Sequence, residues 1–172
     1  MASSVLGCRS RSWNDNRRSR RKDPGTPRRV GLNLQLVYVD TNVLIALIEE
    51  KQREVLSLFY GAAEGKISFV TSEISLAEVL VKPLEMGRSD LVAAYSELLT
   101  NEPSLRTVAI SREILRRSAE LRSTLGGKLP DAVHVASALE TRCRVLVSND
   151  LRLRCPQELA RLCVEEAEKE LL

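Results

Sequence analysis

From Leu34 onward, short runs rich in β-branched residues alternate with longer helical patterns. The short runs predict four strands: LQLVYVD (34–40), KISFVTS (66–72), LRTVAIS (105–111) and CRVLVSND (143–150). A last apolar patch, ELARLCVEE (158–166), fits a helix or a fifth strand. Strands separated by helices are typical of βαβ units, in which helices cover both faces of a parallel sheet. The pattern therefore predicts an α/β fold.

Six helical segments fill the intervals, at 42–50, 53–65, 72–86, 89–101, 111–126 and 129–142. Ser72, Ser89 and Ser111 are predicted N-caps, because a serine side chain accepts a hydrogen bond from a free N–H of the first helical turn. Gly126 is predicted to end the fifth of these helices, and Pro83 to bend or end the third.

The first 33 residues differ from the rest in charge and composition. Positions 1–30 hold nine of the 26 Lys and Arg residues and two of the 23 acids, which leaves 17 basic and 21 acidic residues in positions 31–172. This segment has no apolar periodicity and cannot bury enough surface to offset chain entropy. We predict a disordered basic extension (1–33) followed by one folded domain (34–172). The extension is open to three interpretations, an arm for phosphate backbones, an organellar transit peptide or a dispensable segment from a misassigned start codon, and we favour the last.

The sequence disfavours membrane proteins and zinc–thiolate proteins. Every apolar run is interrupted by charge within about ten residues, so no segment resembles a signal-peptide core or a membrane span. The four cysteines, at positions 8, 143, 155 and 163, have no C-x-x-C spacing and only one histidine to join them, which argues against a zinc site. We expect a cytoplasmic protein with reduced thiols.

Four acidic residues fall where an open α/β sheet forms its sites, near the carboxyl ends of the strands. Asp40 and Asp150 end the first and fourth predicted strands, Asp131 lies in the first turn of the last predicted helix, and Glu78 lies on the third. Three of them have simple structural explanations: Asp131 suits a helix dipole, Asp150 can start a turn, and Glu78 can be solvated. Asp40 is harder to explain, because its apolar flanks predict a buried carboxylate.

Taken together, the four carboxylates predict a cation at this edge of the sheet. None of the four has a basic residue directly beside it in sequence, and Lys82 lies one helical turn after Glu78. Crowded carboxylates repel each other unless a cation neutralises them. Mg²⁺ or Mn²⁺ prefers oxygen ligands and often keeps waters, so this set of side chains favours hydrolysis of a phosphate ester.

Four segments resemble PIN-domain ribonucleases and, within them, the single-domain toxins of VapBC-type toxin–antitoxin pairs. They are VDTNVLIAL, TSEISLAEVL, LPDAVHVASAL and VLVSND, in the family's order and spacing within residues 36–165. The resemblance implies a three-layer α/β/α sandwich with a mostly parallel sheet of about five strands, and hence a PIN-like nuclease domain at 34–172. It further implies a metal-dependent endoribonuclease toxin that cuts RNA, forms a homodimer and is inhibited by a cognate antitoxin.

The resemblance gives the catalytic and metal-binding role to the four acids: Asp40, Glu78, Asp131 and Asp150. Asn42 and Ser148 would be polar groups that hold carboxylates and water in place. Many relatives carry another acid and then an aromatic residue after the last aspartate, whereas Leu-Arg-Leu-Arg follows Asp150 here. This departure weakens the prediction of a second metal ion. Arg152 and Arg154 either contact substrate phosphates or form a solvated basic turn.

Two further residues near these motifs have alternative roles. Lys82 either contacts substrate or faces solvent, and His134, one turn after Asp131, is either a general base or a packed core residue. The apolar neighbours of His134 favour packing. Aromatic residues make up only 3% of the chain, so RNA binding would depend on backbone phosphates and RNA shape more than on base stacking.

Other function classes are weaker or remain open. A haloacid-dehalogenase-like phosphatase needs a second aspartate where Asn42 stands, and a receiver domain needs its phospho-accepting aspartate later in the chain, after an early acidic pair. A housekeeping RNA-processing PIN nuclease and a catalytically inactive PIN module that binds RNA or protein remain as alternatives. An inactive module would be expected to lack one of the four acids, and this sequence contains all four.

Overall fold

The central layer of the protein is a five-stranded sheet in which every pair of neighbouring strands is parallel. The computed structural model describes residues 34–172, so the predicted extension at 1–33 lies outside the described residues. The strands are β1 (Gln35–Val39), β2 (Ile67–Ser72), β3 (Leu105–Val108), β4 (Val145–Val147) and β5 (Ala160–Leu162), and they lie in the order β3-β2-β1-β4-β5. The predicted α/β/α sandwich is confirmed.

Helices connect the strands and cover both faces of the sheet. They are α1 (Thr41–Ile45), α2 (Arg53–Ala63), α3 (Ile74–Glu85), α4 (Ser89–Asn101), α5 (Arg112–Leu125), α6 (Leu129–Glu140) and α7 (Val164–Leu171). The helix that starts at Thr41 does not continue as a regular α-helix: Ala46–Glu50 is π-helical, and Lys51 ends it with a φ of 51°. The patch at 158–166, open between helix and strand, supplies β5 and the start of α7.

Alternation along β1 divides the apolar side chains between two cores, because successive residues of a strand point to opposite faces. Val37 and Val39 pack with side chains of α1, α2, α4 and α7 on one face. Tyr38 packs with side chains of α5 and α6 on the other. All three are fully buried, so β1 lies at the centre of the molecule and carries the chain directly to Asp40.

Two of the three predicted serine caps are wrong. Ser72 is the last residue of β2, and Glu73 precedes α3 without a capping hydrogen bond; Ser89 is the first residue of α4, after Arg88. Ser111 is confirmed, since its side chain accepts a hydrogen bond from the backbone N–H of Ile114 at 3.2 Å. Serine is also common inside first turns and strand ends, so a serine alone does not fix the capping position.

The predicted helix ends are confirmed. Gly126 ends α5 with a φ of 74°, a left-handed value that glycine adopts without strain. Pro83 lies in the last turn of α3, which ends at Glu85. β3 and β4 are shorter than predicted: β3 ends at Val108, and β4 covers only Val145–Val147. The early exit after Val147 leaves Ser148 and Asp150 in a loop beside the end of β1.

Ser111→Ala is expected to lower the free energy of unfolding by about 1 kcal/mol, because the first turn of α5 loses its side-chain cap. Ser89→Ala is the matched control at a helix start without a serine cap, and is expected to change stability by less than about 0.5 kcal/mol. Urea denaturation of both variants measures the difference. Equal losses of stability in the two variants would contradict the capping assignment.

Among residues 34–172, none of the helices combines the length and the apolar composition of a membrane span. The cysteines at 143, 155 and 163 are free thiols, in agreement with the prediction, and Cys8 lies outside the described residues. Burial raises the pKa of Cys155 to about 11 and also raises that of Cys143. Neither thiol is therefore a reactive thiolate at neutral pH.

Candidate active site at the carboxyl edge of the sheet

Asp40 lies at the carboxyl end of β1 and caps the start of α1. Its side chain is buried, and it accepts hydrogen bonds from three groups: the backbone N–H of Thr41 at 2.7 Å, Asn42 Nδ2 at 2.6 Å and Ser148 Oγ at 2.6 Å. Such bonds offset the cost of burying a carboxylate and hold it in one orientation. The sequence pattern did not reveal that Asp40 is itself a helix cap.

Asn42 and Ser148 join the end of β1 to the loop after β4. Asn42 Nδ2 also donates to Ser148 Oγ at 2.9 Å, and Asn42 Oδ1 accepts from the backbone N–H of Asn149 at 3.2 Å. Ser148 Oγ accepts from the backbone N–H of Asp150 at 3.1 Å. Both residues therefore contact Asp40 and the loop that carries Asp150.

Glu78 extends from α3 toward the same end of β1. Its Oε2 atom accepts hydrogen bonds from Thr41 Oγ1 at 2.6 Å and from His134 Nε2 at 2.9 Å. Burial raises the pKa of Glu78, but these two bonds and the charge of His134 outweigh burial and hold the pKa below its ordinary value. Glu78 is therefore an ionised carboxylate at neutral pH.

His134 is buried on α6 between Glu78 and Tyr38. Its Nε2 atom lies 3.4 Å from Asp40 Oδ1 as well as 2.9 Å from Glu78 Oε2. Its Nδ1 atom lies 2.9 Å from the Tyr38 hydroxyl oxygen. The histidine is packed, as favoured from its neighbours, but both ring nitrogens also make polar contacts that lead to the acids.

Asp131 and Asp150 form a second pair, which lines one pocket together with Gly127, Lys128, Arg152 and Arg154. Both oxygens of Asp150 accept hydrogen bonds from the Arg152 guanidinium at 3.1 Å. Arg152 thereby holds the pKa of Asp150 below its ordinary value. Asp131 is half-buried and makes no hydrogen bond or ion pair with the other residues of 34–172. The four acids thus lie as two pairs, one linked through Thr41 and His134, the other sharing a pocket.

The donor chemistry of the four acids fits a hard divalent ion, because every candidate ligand is a carboxylate oxygen. Glu78 Oε1 and the Asp131 carboxylate accept no hydrogen bonds from the described residues, which leaves oxygens available for such an ion. The arrangement is not a preformed cage: within 34–172 no group of three or more His, Cys, Asp or Glu side chains stands ready to hold a metal.

A family model of the PIN domain matches residues 37–157. The chain belongs to the PIN domain family. The matched range spans β1 to the loop after β4 and so includes all four acids, together with Asn42 and Ser148. The predicted resemblance is confirmed.

Solved structures share the fold of this PIN domain. A toxin–antitoxin complex from Klebsiella pneumoniae matches with 25% identity and a TM-score of 0.55, over 72% of this chain and 95% of that chain. VapBC2 from Rickettsia felis, bound to a promoter DNA fragment, matches with 16% identity and a TM-score of 0.61, over 75% and 98%. VapC20 from Mycobacterium tuberculosis, a toxin that cleaves the sarcin–ricin loop, matches with 14% identity and a TM-score of 0.54, over 66% and 91%. No curated protein sequence matches the chain.

Two polar residues of this PIN domain contact the candidate acids, and a third contacts one of those two; none of these contacts was predicted. Thr41 donates to Glu78, His134 contacts Glu78 and Asp40, and Tyr38 contacts His134. The sequence did contain a signal for the role of Thr41, since this residue stands between two candidate site residues in Asp-Thr-Asn. Tyr38 had none beyond its place on β1, because strand alternation gives the face of a residue and not its hydrogen-bond partner.

The basic residues considered for substrate binding lie in different places. Lys82 is exposed on α3, one turn beyond Glu78. Arg152 is 81% exposed at the pocket of Asp131 and Asp150. Arg154 Nη1 donates to the backbone oxygen of Leu125 at 2.7 Å, which fixes it at the same pocket. Lys128, not singled out from the sequence, also lines this pocket.

Proposed function

We propose that this PIN domain is a metal-dependent endoribonuclease that hydrolyses RNA phosphodiester bonds, and that it is the toxin of a VapBC-type pair acting in the cytoplasm. The observation that carries the proposal is the PIN family match over the four acids. In this proposal residues 34–172 form the nuclease domain, and Asp40, Glu78, Asp131 and Asp150 are the catalytic metal ligands. Residues 1–33 are a dispensable extension.

The four carboxylates would hold Mg²⁺ or Mn²⁺, which when bound supplies positive charge to phosphodiester oxygens and makes water more acidic. Asn42 and Ser148 keep Asp40 in one orientation through their hydrogen bonds. Thr41 does the same for Glu78. The protein thus contributes fixed carboxylates that need little reorganisation when charge develops on the substrate.

Basic side chains at the pocket of Asp131 and Asp150 would bind RNA phosphates. Lys128, Arg152 and Arg154 line this pocket, and Lys82 is exposed near Glu78 on α3. Arginine suits two-point contacts with phosphate. Binding of this kind follows backbone charge and is therefore expected to weaken as salt concentration rises.

A cognate antitoxin and a second copy of this chain are the protein partners we propose. Support for the antitoxin comes from the 25% identity to a chain of the Klebsiella pneumoniae toxin–antitoxin complex. The homodimer rests on the resemblance to VapC-type toxins. Light scattering of the purified protein, alone and with a candidate antitoxin, tests both partners by mass.

Cleavage of total RNA by the purified protein tests the proposed activity. We expect discrete fragments with Mg²⁺ or Mn²⁺ and none with EDTA, because the carboxylates alone lack the positive charge that the reaction needs. A folded protein, free of antitoxin, that cuts no RNA with either metal would contradict the proposal.

A catalytically inactive PIN module that binds RNA or protein is the second candidate. The pairing of Asp150 with Arg152 and the absence of a preformed cage within 34–172 favour it. RNA binding that is unchanged by EDTA, without cleavage, would support this candidate. A housekeeping RNA-processing nuclease would cut RNA with metal but would have no antitoxin partner.

A further inference from the structure

A buried chain of hydrogen bonds leads from β1 through α6 to Glu78. The Tyr38 hydroxyl lies 2.9 Å from His134 Nδ1, and His134 Nε2 lies 2.9 Å from Glu78 Oε2. Tyr38 and His134 have exposed fractions of 0% and 1%. Buried polar atoms of this kind are costly unless each donor meets an acceptor, so the positions of the protons in this chain are constrained.

The carboxylate end determines the direction of these hydrogen bonds. An ionised Glu78 only accepts hydrogen bonds, so the proton between Glu78 and His134 must be on Nε2. Nδ1 lies 2.9 Å from the Tyr38 hydroxyl oxygen, so this hydroxyl can donate to Nδ1 while Nε2 donates to Glu78. The Tyr38 hydroxyl therefore supports the ring tautomer that donates to Glu78.

We propose that Tyr38 and His134 are positioning residues, which together aim an N–H group at Glu78 and hold this carboxylate beside Asp40 for a divalent ion. The inference rests on the proposed function, because Glu78 and Asp40 are metal ligands only within it. Neither Tyr38 nor His134 contacts the ion or the substrate in this role.

The contacts at Glu78 explain why such positioning matters. Thr41 Oγ1 and His134 Nε2 both donate to Oε2, so this oxygen is held from two sides. Oε1 accepts no hydrogen bond from the described residues and is left for a ligand. The same Nε2 atom lies 3.4 Å from Asp40 Oδ1, which places the imidazole between the two carboxylates. Removal of a group that hydrogen-bonds to a metal ligand commonly lowers metal affinity by about 10- to 100-fold.

The tautomer can be measured directly, because His134 is the only histidine of the chain. Nitrogen-15 NMR of the imidazole at neutral pH is expected to show a proton on Nε2. A ring protonated on Nδ1 alone would overturn the inference. This measurement needs neither metal nor activity.

Mn²⁺ affinity, measured by calorimetry on the full chain, tests the consequence for the site. Tyr38→Phe keeps the ring and removes the hydroxyl, and is expected to weaken Mn²⁺ binding by about tenfold. Tyr95→Phe is the matched control, because Tyr95 is also fully buried and its hydroxyl donates to Glu49 Oε1 at 2.6 Å. This control loses an equivalent hydrogen bond away from the four acids and is expected to bind Mn²⁺ like the wild type.

Variants of His134 separate positioning from packing. His134→Gln keeps an N–H donor and is expected to bind Mn²⁺ more tightly than His134→Leu, whereas a packing role predicts no such difference between the folded proteins. Wild-type affinity in Tyr38→Phe and in both His134 variants, with binding lost in Asp40→Asn, would overturn the inference and leave the proposed function standing. Absence of Mn²⁺ binding by the wild type would overturn both.

Discussion

Asp40→Asn is expected to reduce RNA cleavage by roughly 1,000-fold or more, a loss of about 4 kcal/mol of transition-state stabilisation. Asp40 is the most buried of the four acids, and its carboxylate accepts hydrogen bonds from three different residues. Replacement by asparagine removes the negative charge that would bind the ion while the size of the side chain hardly changes. The measurement is the initial rate of RNA cleavage with saturating Mn²⁺.

The same substitution is expected to lower the free energy of unfolding by about 1–3 kcal/mol, because an NH₂ group replaces an oxygen that accepts hydrogen bonds. At the Oδ1 position this NH₂ group would face the backbone N–H of Thr41, and at the Oδ2 position it would face Asn42 Nδ2 and Ser148 Oγ. Each of these groups is a donor, so neither orientation restores the hydrogen bonds. Urea denaturation measures this loss. Asp90→Asn is the control, since Asp90 is an exposed aspartate on α4 that pairs with Arg88. A wild-type cleavage rate in folded Asp40→Asn would contradict the assignment of Asp40.

Asp131→Asn is expected to abolish cleavage to a similar degree, on the order of 1,000-fold, with a much smaller effect on stability. Asp131 makes no hydrogen bond or ion pair with the other residues of 34–172. The substitution removes only the favourable interaction of the carboxylate charge with the N-terminal end of α6, which contributes about 0.3–1 kcal/mol.

The paired measurement is the cleavage rate and the urea midpoint of Asp131→Asn beside those of Asp40→Asn. Loss of cleavage with a near-wild-type midpoint identifies a carboxylate kept for function rather than for folding. Full activity in this variant would exclude Asp131 from the active site. A large loss of stability would instead show that Asp131 makes a structural interaction that the described contacts lack.

The sequence pattern sufficed to predict four of the five strands and the edge of the sheet at which the candidate acids lie, and it left the fifth strand open between strand and helix. Buried parallel strands appear as β-branched runs, and the residue after such a run is placed at the carboxyl edge by the geometry of the strand. Asp40 and Asp150 were found this way. Asp131 was found because the Leu-Pro-Asp start of α6 is a strong helix signal.

Apart from Asn42 and Ser148, the partners of these acids were beyond the reach of sequence patterns. His134 was expected to pack among apolar residues, and it does, but its nitrogens face Tyr38 and Glu78, which are 96 and 56 residues away in sequence. Such contacts depend on how α3 and α6 meet the end of β1. The pairing of Arg152 with Asp150 was also not anticipated, because Arg152 was considered only as a contact for substrate or solvent.

The most direct test of the proposed metal site is the melting temperature with and without Mn²⁺ for wild type, Asp40→Asn, Asp131→Asn and Asp90→Asn. A ligand that binds only the folded state raises the melting temperature. We predict an increase for the wild type and Asp90→Asn, and none for Asp40→Asn and Asp131→Asn. No increase in the wild type, or equal increases in all four proteins, would contradict a metal site formed by these carboxylates.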